Sequence, residues 1–429
     1  MRIATIFGSS FVSLCTGASC GVCPCVGEAP VRSPSATIPR NPLAQPNFMF
    51  PFAQTKPSTA ALPDPSPLAL SCSLAGAFAA PAGAASSVND SLQEKYSRQM
   101  LFAGIGPEGQ QRLLVSRAAI VGCGAIGAAA ANLLVRAGVG YVRIIDRDFV
   151  EPSNLQRQTL FDESDSLNVL PKAIAAERKL RSINSSVSVE GIVADLTPRN
   201  AEALLGGVDL LLDGTDNFET RFLINDFAVQ SSRPWIYAAA VASYGLTMTI
   251  RPGVTACLAC LLESGNAARG FEETCDTIGI LGPIVNLIAS LEVAEALKFL
   301  SGNPEALHAR LLSCDVWTAR MQSIGLARHP ECRACARRDF IYLAGEAQPH
   351  VTMCGRDSVQ IHERARALDL GALGLRLKPL VSDVRQNDFL LRFRIAPYEM
   401  TVFADGRAIL KGTKDPAMAR SLYARYIGA

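Results

Sequence analysis

The sequence predicts an α/β fold, a doubly wound and mostly parallel sheet, followed by a small C-terminal α+β domain. Three observations carry this reading. Strand-like runs at 118–121, 141–146, 187–193 and 208–213 alternate with helical segments at 125–137 and 172–183. Strands separated by helices of such lengths imply parallel pairing, with the sheet covered on both faces. A glycine-rich turn, Gly122-Cys123-Gly124-Ala125-Ile126-Gly127, stands between the first strand and the first helix. After Cys335 the pattern changes to alternating runs, Phe389–Ile395 and Glu399–Phe403, with a turn signal at Asp405-Gly406, a third strand to Leu410 and a closing helix over 415–427.

In chain order, residues 1–90 differ from the rest of the chain. Pro34, Pro39, Pro42, Pro46 and Pro51 interrupt any helix, and Glu28 and Asp64 are the only acidic residues before Asp90. This predicts a disordered leader, with an acidic-poor targeting segment as the alternative. Order begins near Ser91 with a helix and turn over 94–115 that carries Tyr96-Ser97-Arg98-Gln99. The core α/β domain is expected over 91–340 and the small domain over 341–429. Within the core, Trp235–Arg251 reads as strand with a turn near Ser243-Tyr244-Gly245. Leu281–Leu300 reads as a helix apolar nearly all round, so buried or facing a second copy.

The 429 residues carry a net charge of +2, which gives no sign of a nucleic-acid surface. No uninterrupted apolar run reaches the roughly 18 residues of a membrane span. Thirteen cysteines in close pairs and singles suit metal binding and thiol chemistry in a reducing compartment, so a cytoplasmic enzyme is expected.

A strand, a Gly-x-Gly-x-x-Gly turn and a helix form a Rossmann-like phosphate site. Gly122, Gly124 and Gly127 let the backbone turn tightly and approach a ligand, and the helix N-terminal N–H groups face its anion. Asp146 ends the second strand, where a carboxylate accepts hydrogen bonds from ribose hydroxyls. This much fits a nicotinamide-dependent dehydrogenase equally well. The next segment separates the two readings. Asn154 and Arg157 lie in a polar connection, and Pro171 opens a helix from which Lys172 projects, so Arg157 and Lys172 can bracket a triphosphate. Asp213 and Asp216 follow the strand at 208–212, where a carboxylate beside a triphosphate would hold Mg²⁺; Asp216 could also cap the next helix. Two Cys-x-x-Cys pairs, Cys257/Cys260 and Cys332/Cys335, have the spacing of a closed, structural four-thiolate Zn²⁺ site.

With these motifs in this order, the chain resembles the ThiF/MoeB family, bacterial relatives of ubiquitin-activating enzymes. The resemblance covers roughly 94–340, including Tyr96-Ser97-Arg98-Gln99, Ser153–Leu160 and Thr215-Asp216-Asn217. It implies an adenylyltransferase that uses ATP to activate the C-terminal glycine of a ubiquitin-like sulfur-carrier protein, serving thiamine thiazole or molybdopterin synthesis. It further implies that Asp146 holds the ribose, that Asn154, Arg157 and Lys172 contact phosphates, that Asp216 positions the metal and triphosphate, and that Ser153 and Asn217 belong to the same nucleotide site. Arg98 would act on the partner's site in a homodimer. Cys275 matches a loop cysteine that can bond covalently to the carrier, although its acidic neighbours disfavour the thiolate. No sulfur-donor loop is legible after residue 340, so a separate persulfide donor is expected. Ala125 and Leu170 depart from the family pattern, which more often has glycine and glutamine there.

Overall fold

Helix and strand alternate from residue 93 onward in a computed structural model that describes residues 93–262, 279–346, 358–361 and 367–428. The leader expected over 1–90 and Cys275 lie outside the described residues. The chain runs α1 (93–100), α2 (Gly106–Val115), β1 (Arg117–Val121), α3 (Ala125–Ala137) and β2 (Tyr141–Asp146). It continues through α4 (Glu163–Leu167), α5 (Lys172–Ile183), β3 (Ser188–Val193), α6 (Ala201–Leu205), β4 (Leu210–Asp213) and α7 (Phe218–Gln230). Next come β5 (Trp235–Val241), β6 (Tyr244–Ile250), α8 (Leu258–Leu262), α9 (Gly282–Leu300), β7 (Leu311–Asp315) and β8 (Arg320–Ile324).

The eight strands form one sheet in the order β3-β2-β1-β4-β5-β6-β7-β8. The first five are parallel and the last three antiparallel, so the sheet is mixed with a parallel half. Side chains alternate along β1 and β4 because a strand has period two. Ala118, Ile120, Leu210 and Leu212 face a core shared with α3, α5 and α9. Ala119, Val121 and Leu211 face the opposite core, under α6, α7 and α8. Ala128, Ala130 and Ala131 of α3 have no exposed surface, and side chains this small let the helix lie close to the sheet and α9. Gly138 stops α3 in the left-handed conformation at φ +84; a Cβ there would strike the Tyr96 ring at 2.6 Å.

The turn expected at 243–245 falls one residue earlier. Tyr244 already pairs with Val241, and Ala242 takes a positive φ of 50 to close the hairpin. Helix α9 is buried along Ile284, Val285, Ile288, Ala289, Val293 and Ala296, against α3 and the sheet. No helix among the described residues is long and apolar enough to cross a membrane.

The chain then builds a second sheet from β9 (Ser358–Ile361), α10 (Leu370–Leu377), β10 (Ser382–Gln386), β11 (Leu390–Ile395), β12 (Tyr398–Phe403), β13 (Ala408–Lys411) and α11 (Pro416–Tyr426). It is antiparallel in the order β10-β11-β12-β13-β9, with α10 and α11 packed on its core. Both sheets fall within one compact unit.

Candidate active site and cysteine centre

Strand order reverses between β1 and β4, so their carboxyl ends flank the switch point at which open α/β sheets take ligands. Here the turns after the two strands pack backbone to backbone. Gly122 has φ +88, and a Cβ on it would lie 2.5 Å from the Gly214 carbonyl oxygen. A Cβ on Gly127 would lie 1.9 Å from the Gly122 oxygen, and one on Gly214 2.2 Å from the same atom. The fold therefore demands these three glycines. Gly124 is different: its nearest neighbour would be 3.7 Å away, so open space lies before the N-terminus of α3. Ala125 is the first residue of that helix, where its methyl is accommodated.

Asp146 is buried behind the turn. Its carboxylate accepts from the Cys123 N–H at 2.6 Å and the Asp148 N–H at 2.7 Å, one on each oxygen. Burial pushes its carboxyl above the usual range, against the nearby Lys172 charge. Each oxygen keeps a second lone pair for a ligand hydroxyl. Cys123 itself is fully buried, and burial together with Asp146 raises its thiol, so it is packing rather than a nucleophile.

Lys172 begins α5, with Pro171 as its N-cap rather than inside its first turn. Its Nζ lies 3.3 Å from Asp148 and its backbone N–H donates to the Asp148 carbonyl at 2.9 Å. Burial alone would lower this ammonium; the charges of Asp148, Asp146 and Asp216 outweigh it and push it up to about 12. Arg147, 3.0 Å from Asp195, feels the same carboxylates. Asp148 and Arg147 were missed in the sequence. The signal was present in Asp146-Arg147-Asp148, where a second carboxylate follows the strand end by two residues.

The carboxylate that ends β4, Asp213, and the one three residues on, Asp216, have different roles. Asp213 is fully buried and committed: it binds Arg221 Nε at 2.8 Å, the Thr215 N–H at 2.9 Å and the Thr215 hydroxyl at 2.7 Å. Arg221 in turn reaches the Thr215 and Ala238 carbonyls, so this pair fixes the turn and has no capacity left for a cation. The helix cap expected of Asp216 is corrected, because Asn217 fills that place, accepting from the Thr220 N–H at 2.8 Å. Asp216 is left exposed, with no hydrogen bond among the described residues, facing the charges of Lys172 and Arg147.

Asn154 is buried in a 3-10 turn (Pro152–Asn154), where its side-chain oxygen accepts from the Glu151 N–H at 3.1 Å. Arg157 folds back on the Ser153 carbonyl at 2.9 Å. Arg98 is exposed on α1. That helix is docked by Tyr96, whose hydroxyl accepts from Asn184, and by Gln99, which donates to the Ala137 carbonyl. Ala137 ends α3, whose thirteen residues span about 20 Å from the glycine turn. Arg98 therefore sits at the far end of α3 from Gly124 in its own chain.

The four cysteines converge further along α7. Sγ–Sγ distances are 3.8 Å for Cys257–Cys260, 3.6 Å for Cys257–Cys332 and 3.4 Å for Cys260–Cys335, with all four sulfurs within 4.8 Å. Tetrahedral zinc with bonds of about 2.3 Å needs edges of about 3.8 Å, so the cluster is compatible with zinc. Helix α7 holds both knuckles. Asn225 accepts from the Leu258 N–H at 2.9 Å, and Asp226 binds Arg333, between Cys332 and Cys335, at 3.1 and 3.2 Å.

A family model described as the ThiF family matches residues 96–334. The Bacillus subtilis protein named sulfur carrier protein ThiS adenylyltransferase is 46% identical over 341 residues, covering 78% of this chain and 99% of that one. The Escherichia coli protein of the same name is 35% identical over 249 residues, 58% of this chain and 97% of its own. The molybdopterin-synthase adenylyltransferase of Escherichia coli is 33% identical over 254 residues, 58% and 99%. Among solved structures, that of E. coli MccB with succinimide aligns at TM-score 0.50 and 25% identity, over 56% of this chain and 73% of that one. Since the family match runs through the whole stretch that builds the switch point, the chain belongs to the ThiF family.

Proposed function

We propose that this protein is an adenylyltransferase that activates the C-terminal glycine of a ubiquitin-like sulfur-carrier protein with ATP. The carrier carboxylate, ionised at neutral pH, needs no general base. Its oxygen bonds to the α-phosphorus, the bond from that phosphorus to the bridging oxygen breaks, and pyrophosphate leaves. The product is an acyl-adenylate. Catalysis of this step consists of alignment and charge neutralisation.

The observation that carries the reading is the group of charges at the switch point, Lys172 among Asp146, Asp148 and Asp216 below the open space at Gly124. In it, Asp146 takes the ribose hydroxyls, and the N-terminus of α3 and Lys172 take phosphates, assisted by Ser153, Asn154 and Arg157. Asp216, uncommitted and beside Asn217, is the carboxylate for Mg²⁺, which would offset triphosphate charge when bound. Arg98 serves the site of a second copy, because it is remote from its own. The cysteine cluster holds structural Zn²⁺, and Cys275 belongs to a later sulfur step fed by a separate persulfide donor.

The thiazole branch is favoured over the molybdopterin branch. The Bacillus subtilis relative named for ThiS is 46% identical over 341 residues, more than the family stretch, against 33% over 254 residues for the molybdopterin-synthase relative. The test is ATP–pyrophosphate exchange with purified protein, Mg²⁺ and carriers ending in Gly-Gly. Exchange that depends on the thiazole carrier is expected. Exchange with the molybdopterin carrier alone would reassign the branch, and none with any carrier, in protein that binds ATP, would overturn the function.

A further inference from the structure

Two segments set the position of Lys172 and the carboxylates around it: 147–151, which leaves β2, and 168–171, which enters α5. They are tied together by Val150 N–H to the Leu170 carbonyl at 2.8 Å and Lys172 N–H to the Asp148 carbonyl at 2.9 Å. The second sheet grips both. Asn387 Nδ2 donates to the Asn168 carbonyl at 3.1 Å and the Val169 carbonyl at 3.0 Å. Its Oδ1 accepts from the Phe389 and Leu390 N–H groups at 2.9 and 3.0 Å, so the hairpin turn between β10 and β11 holds the amide in place. Lys411 pairs with Glu151, whose carboxylate caps the 3-10 turn carrying Ser153 and Asn154.

Val169 has φ +50, a conformation a β-branched residue avoids unless its surroundings impose it. It is buried with Phe149 against Leu390, Phe403 and Ile409 of the second sheet. A strained residue three positions before Lys172 is thus held at its carbonyl by Asn387 and at its side chain by the same sheet.

We infer that Asn387 is a positioning residue for the nucleotide site, with Lys411 as its accessory, and that the C-terminal sheet sets affinity for ATP rather than docking the carrier. This rests on the adenylyltransferase reading. The E. coli relatives matched over 58% of this chain are named for the same class of activity, so the effect is expected on nucleotide affinity more than on the chemical step.

The test is Asn387→Asp in the full chain. The carboxylate still caps its own hairpin turn, but it turns an acceptor toward two carbonyl oxygens and loses both donors. The ATP Kd, measured by calorimetry without carrier, should rise about tenfold, the size expected for losing two hydrogen bonds of this kind. The carrier KM should stay within about twofold of wild type. Lys411→Met should raise the ATP Kd about threefold and Lys411→Arg should restore it, which a change in folding alone would not do. Unchanged ATP Kd in Asn387→Asp, or a rise in carrier KM alone, overturns the inference; if that variant does not fold, the Lys411 pair decides by the same criterion. Wild-type protein that binds ATP but exchanges no pyrophosphate with any carrier would sink the adenylyltransferase reading separately.

Discussion

Helix α7 joins two regions of different construction. One residue before its N-cap Asn217, Asp216 is exposed and uncommitted, and nearby Lys172 faces three carboxylates. Half-way along, Asn225 and Asp226 are fully buried and hold the two cysteine knuckles through a backbone N–H and a paired guanidinium. The first region leaves charge for a ligand to complete. The second encloses four sulfurs at the spacing of a closed metal site. The contrast predicts that damage at the cysteines acts on stability and damage at the switch point on chemistry.

The largest effect expected is at the metal end. Cys332→Ser should remove zinc and destabilise the fold by about 4 kcal/mol or more, because metal binding to such a site is itself folding energy. Metal content and thermal unfolding measure this. An unchanged melting temperature in a zinc-free variant would break the contrast, since the cysteines would then be packing alone.

Asp216→Ala should do the reverse. Pyrophosphate exchange should fall about 10²–10³-fold, as for removal of one preorganised charge-stabilising group, while zinc content and melting temperature stay unchanged. Retained exchange would shift the metal carboxylate to Asp148, which already faces Lys172 at 3.3 Å.

A finer cut separates two glycines of one turn. Gly127→Ala places a Cβ 1.9 Å from backbone and should cost folding. Gly124→Ala meets nothing closer than 3.7 Å, so the variant should fold normally yet bind ATP about tenfold more weakly, as expected where a ligand approaches the backbone. Equal ATP affinity in Gly124→Ala would mean that the phosphates do not approach that turn.

Much of this was legible in the sequence because it is written in local patterns. Helix α3 and strand β2 begin and end at the residues expected, since the glycine turn and the alternation of strand-like and helical runs are short-range signals. The close approach of the four cysteines was legible from Cys-x-x-Cys spacing. What the sequence hid depends on contacts between distant segments. Nothing near Asp213 announces that Arg221 will consume it, and nothing near Asp148 that Lys172 will turn toward it. Strand β8 is largely exposed and lacks an apolar alternation, so nothing in its own sequence announces it. Asn387 reads as an ordinary turn residue until the fold brings Val169 against it.

The smallest expected effect sharpens the contrast from behind the sheet, at Glu292 of α9. This residue is fully buried; one carboxyl oxygen accepts from the Asp213 N–H at 3.0 Å and the other has no partner among the described residues. Burial raises its carboxyl well above the ordinary 4.5, the Asp213 charge adds to the rise, and the Asp213 N–H and Arg221 oppose it. The folded state then holds this proton more tightly than the unfolded state does. Its contribution is complete below the unfolded value and is lost as pH rises toward the folded one. Glu292→Gln cannot lose a proton and keeps the same shape. Its stability relative to wild type should therefore improve as pH rises from 5 to 8. Denaturant midpoints of the two proteins across that range provide the measurement. Parallel profiles would show that Glu292 is ionised throughout, with Arg221 neutralising two buried carboxylates instead of one, and the turn that leaves Asp216 uncommitted would then carry an excess of negative charge behind it.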